Sequence, residues 1–130
     1  MPSIFSKIVA GDIPSYKLAE NENFLAFLDI FPLAKGHTLV IPKKETDYIF
    51  HMDSEEYKEL WAFAQKVAKA QKQVIPCERI GVAVIGLEVP HAHIHLVPIN
   101  GVLDIDFSRP KLQFTKEEME QVASNIASLL

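Results

Sequence analysis

The chain has one cysteine, Cys77, among its 130 residues, so no internal disulfide holds it together. That cysteine follows Pro76 and reads as a small buried hydrophobe rather than a nucleophile. An excess of positive charge is also missing. Thirteen Lys and Arg face seventeen Asp and Glu, for a formal net charge of -4, which gives no global attraction to nucleic acid or to an anionic membrane. No run approaches the roughly 18 apolar residues of a transmembrane helix, and Met1–Lys7 lacks the apolar core of a signal peptide. These absences predict a cytoplasmic protein with no nucleic-acid or membrane partner, in which any nucleotide is held by a local site. With 48% hydrophobic residues the chain has enough apolar surface for one core, and 130 residues leave no room for a second, so a single domain over 1–130 is expected.

Against that plain background stands His91-Ala92-His93-Ile94-His95-Leu96-Val97. Three of the five histidines alternate with small or apolar residues, and in an extended strand they would share one face. A merely polar face is one reading of such a row. A metal site is another, but positions two apart on a strand lie about 6.8 Å apart and positions four apart about 13.5 Å. Zinc holds each imidazole nitrogen at about 2.0–2.1 Å, so a pair shares an ion more readily than all three. The row best suits an extended anionic group lying along the strand, with one imidazole reacting and its neighbours orienting or donating hydrogen bonds.

Periodicity and punctuation outline the rest. A short helical turn is predicted over Ile4–Ala10, ended by Gly11 and stopped by Pro14. Tyr16–Glu20 and Phe24–Asp29 read as strands joined by a turn at Asn21-Glu22-Asn23. His37 is delivered to a third strand of good strand formers, Thr38–Ile41, ended by Pro42. A long central helix is capped by Asp53 or Ser54, with Tyr57, Leu60, Trp61, Ala64, Val67, Ala68 and Val74 on one face. Arg79–Ile85 and His91–Ile99 supply the fourth and fifth strands. Thr115-x-x-Glu118 opens a terminal helix carrying Met119, Val122, Ile126 and Leu129. The fold class expected is α+β, an antiparallel sheet with helices.

The histidine row resembles the signature of the histidine triad, or HIT, superfamily, His-φ-His-φ-His-φ-φ with φ hydrophobic. Ile4-Phe5-Ser6-Lys7-Ile8, Gly11–Tyr16, Phe27-Leu28-Asp29-Ile30 and Gly36–Lys44 are similar to blocks of its Hint branch, and together these cover most of residues 3–99. The resemblance implies a five-stranded antiparallel sheet with helices to one side, a homodimer, and a nucleotide hydrolase or transferase. It places the nucleophile on His93, supported by His91, with His95 on phosphate oxygens and His37 completing the network. It further implies that Asp29 accepts hydrogen bonds from ribose hydroxyls, and that Phe5, Ile8, Phe27, Leu28, Ile30 and Val89 border a purine nucleotide together with His93 and His95. Read without the resemblance, Asp29 is an ordinary turn residue and the apolar positions are core. Lys43 and Lys44 read as a solvated charge pair, and His51 as a surface loop residue.

The chain departs from that pattern twice. Gly86-Leu87-Glu88-Val89-Pro90 replaces a Gly-Gln-x-Val run, no Asn precedes it on Arg79–Ile85, and Glu88 brings a carboxylate to the leaving-group side. Ser3, Ser6 and Glu45 stand where some relatives place the Cys-x-x-Cys and His of a zinc site, and hydroxyls are poor zinc ligands, so no metal and no cofactor is expected. The leading expectation is a purine nucleoside phosphoramidase that forms a nucleotidyl-histidine. Alternatives are a dinucleoside polyphosphate hydrolase or nucleotidyl transferase, a nucleotide-binding module with weak catalysis, and a metalloprotein using His91 and His93. Gly101–Gln113 reads equally as a lid, a dimer arm or a linker.

Overall fold

A computed structural model describes residues 2–130. Its elements run α1 (Ile4–Ala10), β1 (Lys17–Glu20), β2 (Phe24–Leu28), β3 (Thr38–Pro42), α2 (Ser54–Val74), β4 (Arg79–Ala83), β5 (Ile94–Ile99) and α3 (Lys116–Ala127). Single 3₁₀ turns occupy Ile49–His51 and Val102–Ile105. The five strands form one antiparallel sheet in the order β1-β2-β3-β5-β4, so the α+β expectation holds.

Local chemistry explains the boundaries. Ser3 caps α1 by accepting the Ser6 N–H, and Gly11 ends it in the left-handed region at φ 85°. Asn21 Oδ1 accepts the N–H groups of Asn23 and Phe24, both at 2.8 Å, closing the β1–β2 turn. Asp53 caps α2, and the Thr115–Glu118 box opens α3. The chain leaves α3 at Ala127, which puts Leu129 on the surface instead of on the buried stripe.

The sheet is covered on both faces, which is why β2 and β3 are buried at every position. Phe24, Ala26, Leu28, Val40, Ile94 and Leu96 meet α2 and α3 on one side. Leu25, Phe27, Leu39 and Ile41 meet Phe5 and Ile8 of α1 on the other. β4 is an edge strand and leaves Val82 half exposed.

The fifth strand is shorter than expected, beginning at Ile94 rather than His91. Its register with β3 stops at the Val40–Ile94 pair, and continuing it would set Ala92 opposite Pro42, which has no N–H to offer. The carbonyl of Pro42 instead accepts from His91 Nε2, and the Ala92 N–H crosses to the Thr46 carbonyl at 2.6 Å. β4 likewise ends at Ala83, where its pairing with His95 closes the ladder, and Val84 and Ile85 lie outside it.

Candidate functional site

The face opposite α2 and α3 carries the histidines. His91 and His93 approach it from the irregular segment before β5, His95 from β5 itself and His37 from the residue before β3. All four are buried, His37 and His91 almost completely. The rings gather without strict strand alternation: His93 and His95 have centroids 4.9 Å apart, and Phe5 sits edge-on at 4.9 Å from His93 and 5.8 Å from His91.

Because a carbonyl only accepts and a backbone N–H only donates, the proton on each ring can be assigned. His91 Nε2 lies 2.8 Å from the Pro42 carbonyl and must carry the hydrogen, so its Nδ1 accepts from the Ser3 hydroxyl at 2.7 Å. His93 Nδ1 lies 2.7 Å from the His91 carbonyl and donates to it, which leaves the lone pair on Nε2. On the other side, His37 Nδ1 accepts the Leu33 N–H at 3.0 Å. Its Nε2 hydrogen therefore goes to His95 Nδ1, also at 3.0 Å, and His95 presents its own proton on Nε2. The row thus offers one nucleophilic nitrogen and, beside it, one outward N–H donor.

Burial keeps the rings neutral at physiological pH. Desolvation pulls His37 down to about 4, aided by the charge of Lys111 and by His93. It pulls His95 to about 3, aided by His37 and His93. His93 is lowered by burial as well, against the hydrogen bond to the His91 carbonyl, which supports the protonated form. His91 is lowered by burial and supported by the Pro42 carbonyl and by Glu45.

Asp29 follows β2 and faces the same site, with Oδ2 3.6 Å from His37 Nε2. A neutral His37 makes this a polar contact rather than an ion pair. Oδ1 accepts the Phe31 N–H at 2.8 Å, while burial raises the carboxyl above its ordinary value. Phe5, Ile8 and Phe27 form an apolar wall, with Val89 packed against it. Ile30 is exposed beside Asp29. Leu28 is the exception among the expected border residues. Strand alternation turns its side chain to the opposite face, into the core with α2 and α3, so it forms no part of the wall.

A residue that sequence reasoning passed over supports the site from behind. Gln71 of α2 is fully buried, and its Nε2 donates to the carbonyls of Gly36 at 2.7 Å and Leu96 at 2.9 Å. These residues flank His37 and His95, so one amide ties both strand segments to the helix. Its signal was a polar residue in phase with Leu60, Ala64 and Val67 on the buried stripe.

Two clusters of potential ligands can be tested for a metal. Ser3, Ser6, Glu45 and His91 do converge, but as a hydrogen-bonded clip: Glu45 Oε1 accepts the Ser3 N–H at 2.6 Å and the Ser6 hydroxyl at 2.7 Å. Two hydroxyls with both His91 nitrogens engaged do not suit zinc. The same engagement argues against a metal shared by His91 and His93. Asp29, His37 and His95 also place ligand atoms within 4.8 Å of one another. There the proton on His37 Nε2 occupies the space a cation would need, because the Leu33 N–H bars it from moving to Nδ1.

A family model described as HIT domain matches residues 10–101. The chain belongs to the HIT family. It is 36% identical to the hit protein of Bacillus subtilis, the alignment covering 98% of this chain and 93% of that one. It is also 36% identical to an adenosine 5'-monophosphoramidase of Schizosaccharomyces pombe, covering 98% of each. A crystal structure of a Hit-like protein involved in cell-cycle regulation from Bartonella henselae matches with a TM-score of 0.86 and 32% identity, over 98% of this chain and 96% of that one. The expectation of a HIT family member with a HIT-like α+β fold is therefore met.

Proposed function

We propose that this HIT protein is a nucleotide hydrolase acting at the α-phosphorus of purine nucleoside phosphoramidates or related nucleoside monophosphate derivatives. The observation that carries this reading is the fixed tautomer of His93, whose Nδ1–H is committed to the His91 carbonyl so that Nε2 holds an available lone pair. Nε2 attacks phosphorus, the bond from phosphorus to the leaving nitrogen breaks, and the departing amine takes up a proton from solvent. Water then attacks the nucleotidyl-histidine, the bond from phosphorus to Nε2 breaks, and the nucleoside monophosphate leaves with neutral His93 restored. The outward N–H of His95 supplies a hydrogen bond to phosphate oxygens as charge develops there. Asp29 accepts from the ribose hydroxyls, and the wall of Phe5, Ile8, Phe27 and Val89, with Ile30, borders the base. The similarity to a monophosphoramidase over nearly the whole chain favours a phosphoramidate over a dinucleoside polyphosphate.

The active form is a homodimer. Edge strand β4 has a free side in the sheet, and beside it Val82 and Ile85 are half exposed, a combination that a second copy would cover.

The test is release of AMP from an adenosine phosphoramidate by wild type and His93→Ala, assayed with chelator. Release by the wild type alone supports the reading. Background release by both, with AMP still bound, would instead favour a binding module, the alternative to which the exposed carboxylate of Glu88 near His93 gives weight.

A further inference from the structure

The segment Gly101–Gln113 folds back over the third histidine. The Phe107 ring lies edge-on to His95, with centroids 4.7 Å apart at 66°, and 6.3 Å from His37 at 71°. The strap is tied at several points. Asp104 Oδ2 accepts the N–H groups of Asn100 at 2.7 Å and Gly101 at 3.0 Å, and Arg109 Nη1 donates to the Leu103 carbonyl at 2.7 Å. The Leu112 N–H reaches the Pro32 carbonyl at 2.9 Å, in the loop that joins Asp29 to His37. Lys111 Nζ donates to the carbonyls of Phe107 at 2.6 Å and Arg109 at 3.2 Å, closing the turn that presents Phe107. Its ammonium is close enough to act electrostatically on Asp29 and His37.

An aromatic ring packed on an imidazole removes water that would solvate the imidazolium, and a nearby ammonium repels the extra proton. Both effects hold the His37–His95 pair neutral. The relay depends on that state. A doubly protonated His37 would point an N–H at the Leu33 N–H, lose its acceptor, and release the orientation that keeps the His95 Nε2 proton facing outward. The charged and titratable groups around the pair are Asp29 after β2, His93 before β5 and Lys111 in the strap. Of these only Asp29 favours protonation, and Lys111 opposes it.

We propose that Phe107 is a positioning residue of the HIT site, seated on His95 to keep the His37–His95 relay dry, neutral and aimed at the substrate phosphate, with Lys111 pinning it in place. The phosphate as target rests on the function proposed above, whereas the protection of the relay does not.

The test uses the full chain as wild type, Phe107→Ala, Phe107→Leu, Lys111→Ala and Lys111→Arg. Nitrogen-15 NMR of the imidazoles reads protonation and tautomer directly and needs no turnover. The wild-type pair is expected to stay neutral down to about 4 for His37 and about 3 for His95. Phe107→Ala is expected to raise both titrations by about one pH unit or more, and Phe107→Leu, which keeps an apolar cover, by much less. Lys111→Ala, at an exposed position, gives a smaller rise in His37 that Lys111→Arg abolishes. An unchanged titration in Phe107→Ala overturns the proposal, as does an unchanged His37 in Lys111→Ala should the Phe107 variant not fold. With adenosine phosphoramidate as substrate, the acid limb of kcat in Phe107→Ala moves upward while KM holds. A uniform drop at every pH marks a merely structural role and also overturns it. Shifted imidazole titrations in a wild-type protein that releases no AMP would uphold the strap's role and sink the hydrolase reading alone.

Discussion

At one end of the imidazole row, His91 and His93 are held by backbone carbonyls and a serine hydroxyl; at the other, His37 and His95 are held by each other and one backbone N–H. The first end fixes a proton inward and leaves a lone pair outward. The second hands protons along the chain and leaves one outward. Four copies of one side chain thus yield a nucleophile and a donor, and the difference lies entirely in what each ring nitrogen faces. Burial is partly offset at the first end by acceptors that support the charged form, whereas at the second only the Asp29 carboxylate beside His37 stands against it, and His37 and His95 fall furthest.

Removing the nucleophile breaks the contrast most severely. His93→Ala is expected to lower kcat by about 10⁴-fold or more, by analogy with other covalent catalysts, with AMP affinity measured by calorimetry little changed. Loss of covalent labelling by substrate in that variant, against labelling in the wild type, checks the same point. His37→Ala attacks the opposite end. It takes away the donor that orients His95 and strands the Leu33 N–H, so kcat should drop by about 10²–10³-fold while His93 still labels, slowly.

Acid sharpens the contrast through stability. His37 and His95 have folded-state values far below the unfolded 6.5, so below that pH the unfolded chain binds more protons than the native one. Their full contribution is present above pH 6.5 and is lost as pH falls through about 4 for His37 and about 3 for His95, an expected loss on the order of a few kcal/mol in chemical denaturation. A flat stability profile from pH 7 to 4.5 would contradict the assigned neutral relay. Gln71→Leu probes the shared support: it removes one buried hydrogen bond from each of the Gly36 and Leu96 carbonyls, leaving Gly36 with the Thr38 hydroxyl alone, and should cost about 1–3 kcal/mol by thermal unfolding. Ser3→Ala is the smallest change. It removes the α1 cap and the donor to His91, with an expected cost of about 1 kcal/mol in stability and a modest fall in kcat, both restored in large part by Ser3→Thr.

Much of this was legible beforehand because it depends on short-range chemistry. α1 is bounded by Ser3 and Gly11, the β1–β2 turn by Asn21, and α3 by the Thr115–Glu118 box, and each cap acts within three or four residues. Leu28 and the start of β5 differ from what local pattern predicts for a common reason. The quartet Phe27-Leu28-Asp29-Ile30 does not show which face each side chain takes, and nothing within His91–Val97 reveals that Pro42 lies across from it. The role of Gln71 has no local signature beyond its place on the buried stripe, because its partners lie 25 and 35 residues away.

What the sequence determined by itself is the inventory and its spacing: the histidine row, the caps, the apolar periods and the fold class those imply. Tertiary structure decided everything that depends on a second segment. It set which nitrogen of each histidine bears the proton, since the deciding acceptors and donors come from Ser3, Leu33, Pro42 and His91. It also decided that Phe107 closes on His95. An imidazole is the same group in any sequence, and only the atoms placed within about 3 Å of its two nitrogens make it a nucleophile or a donor.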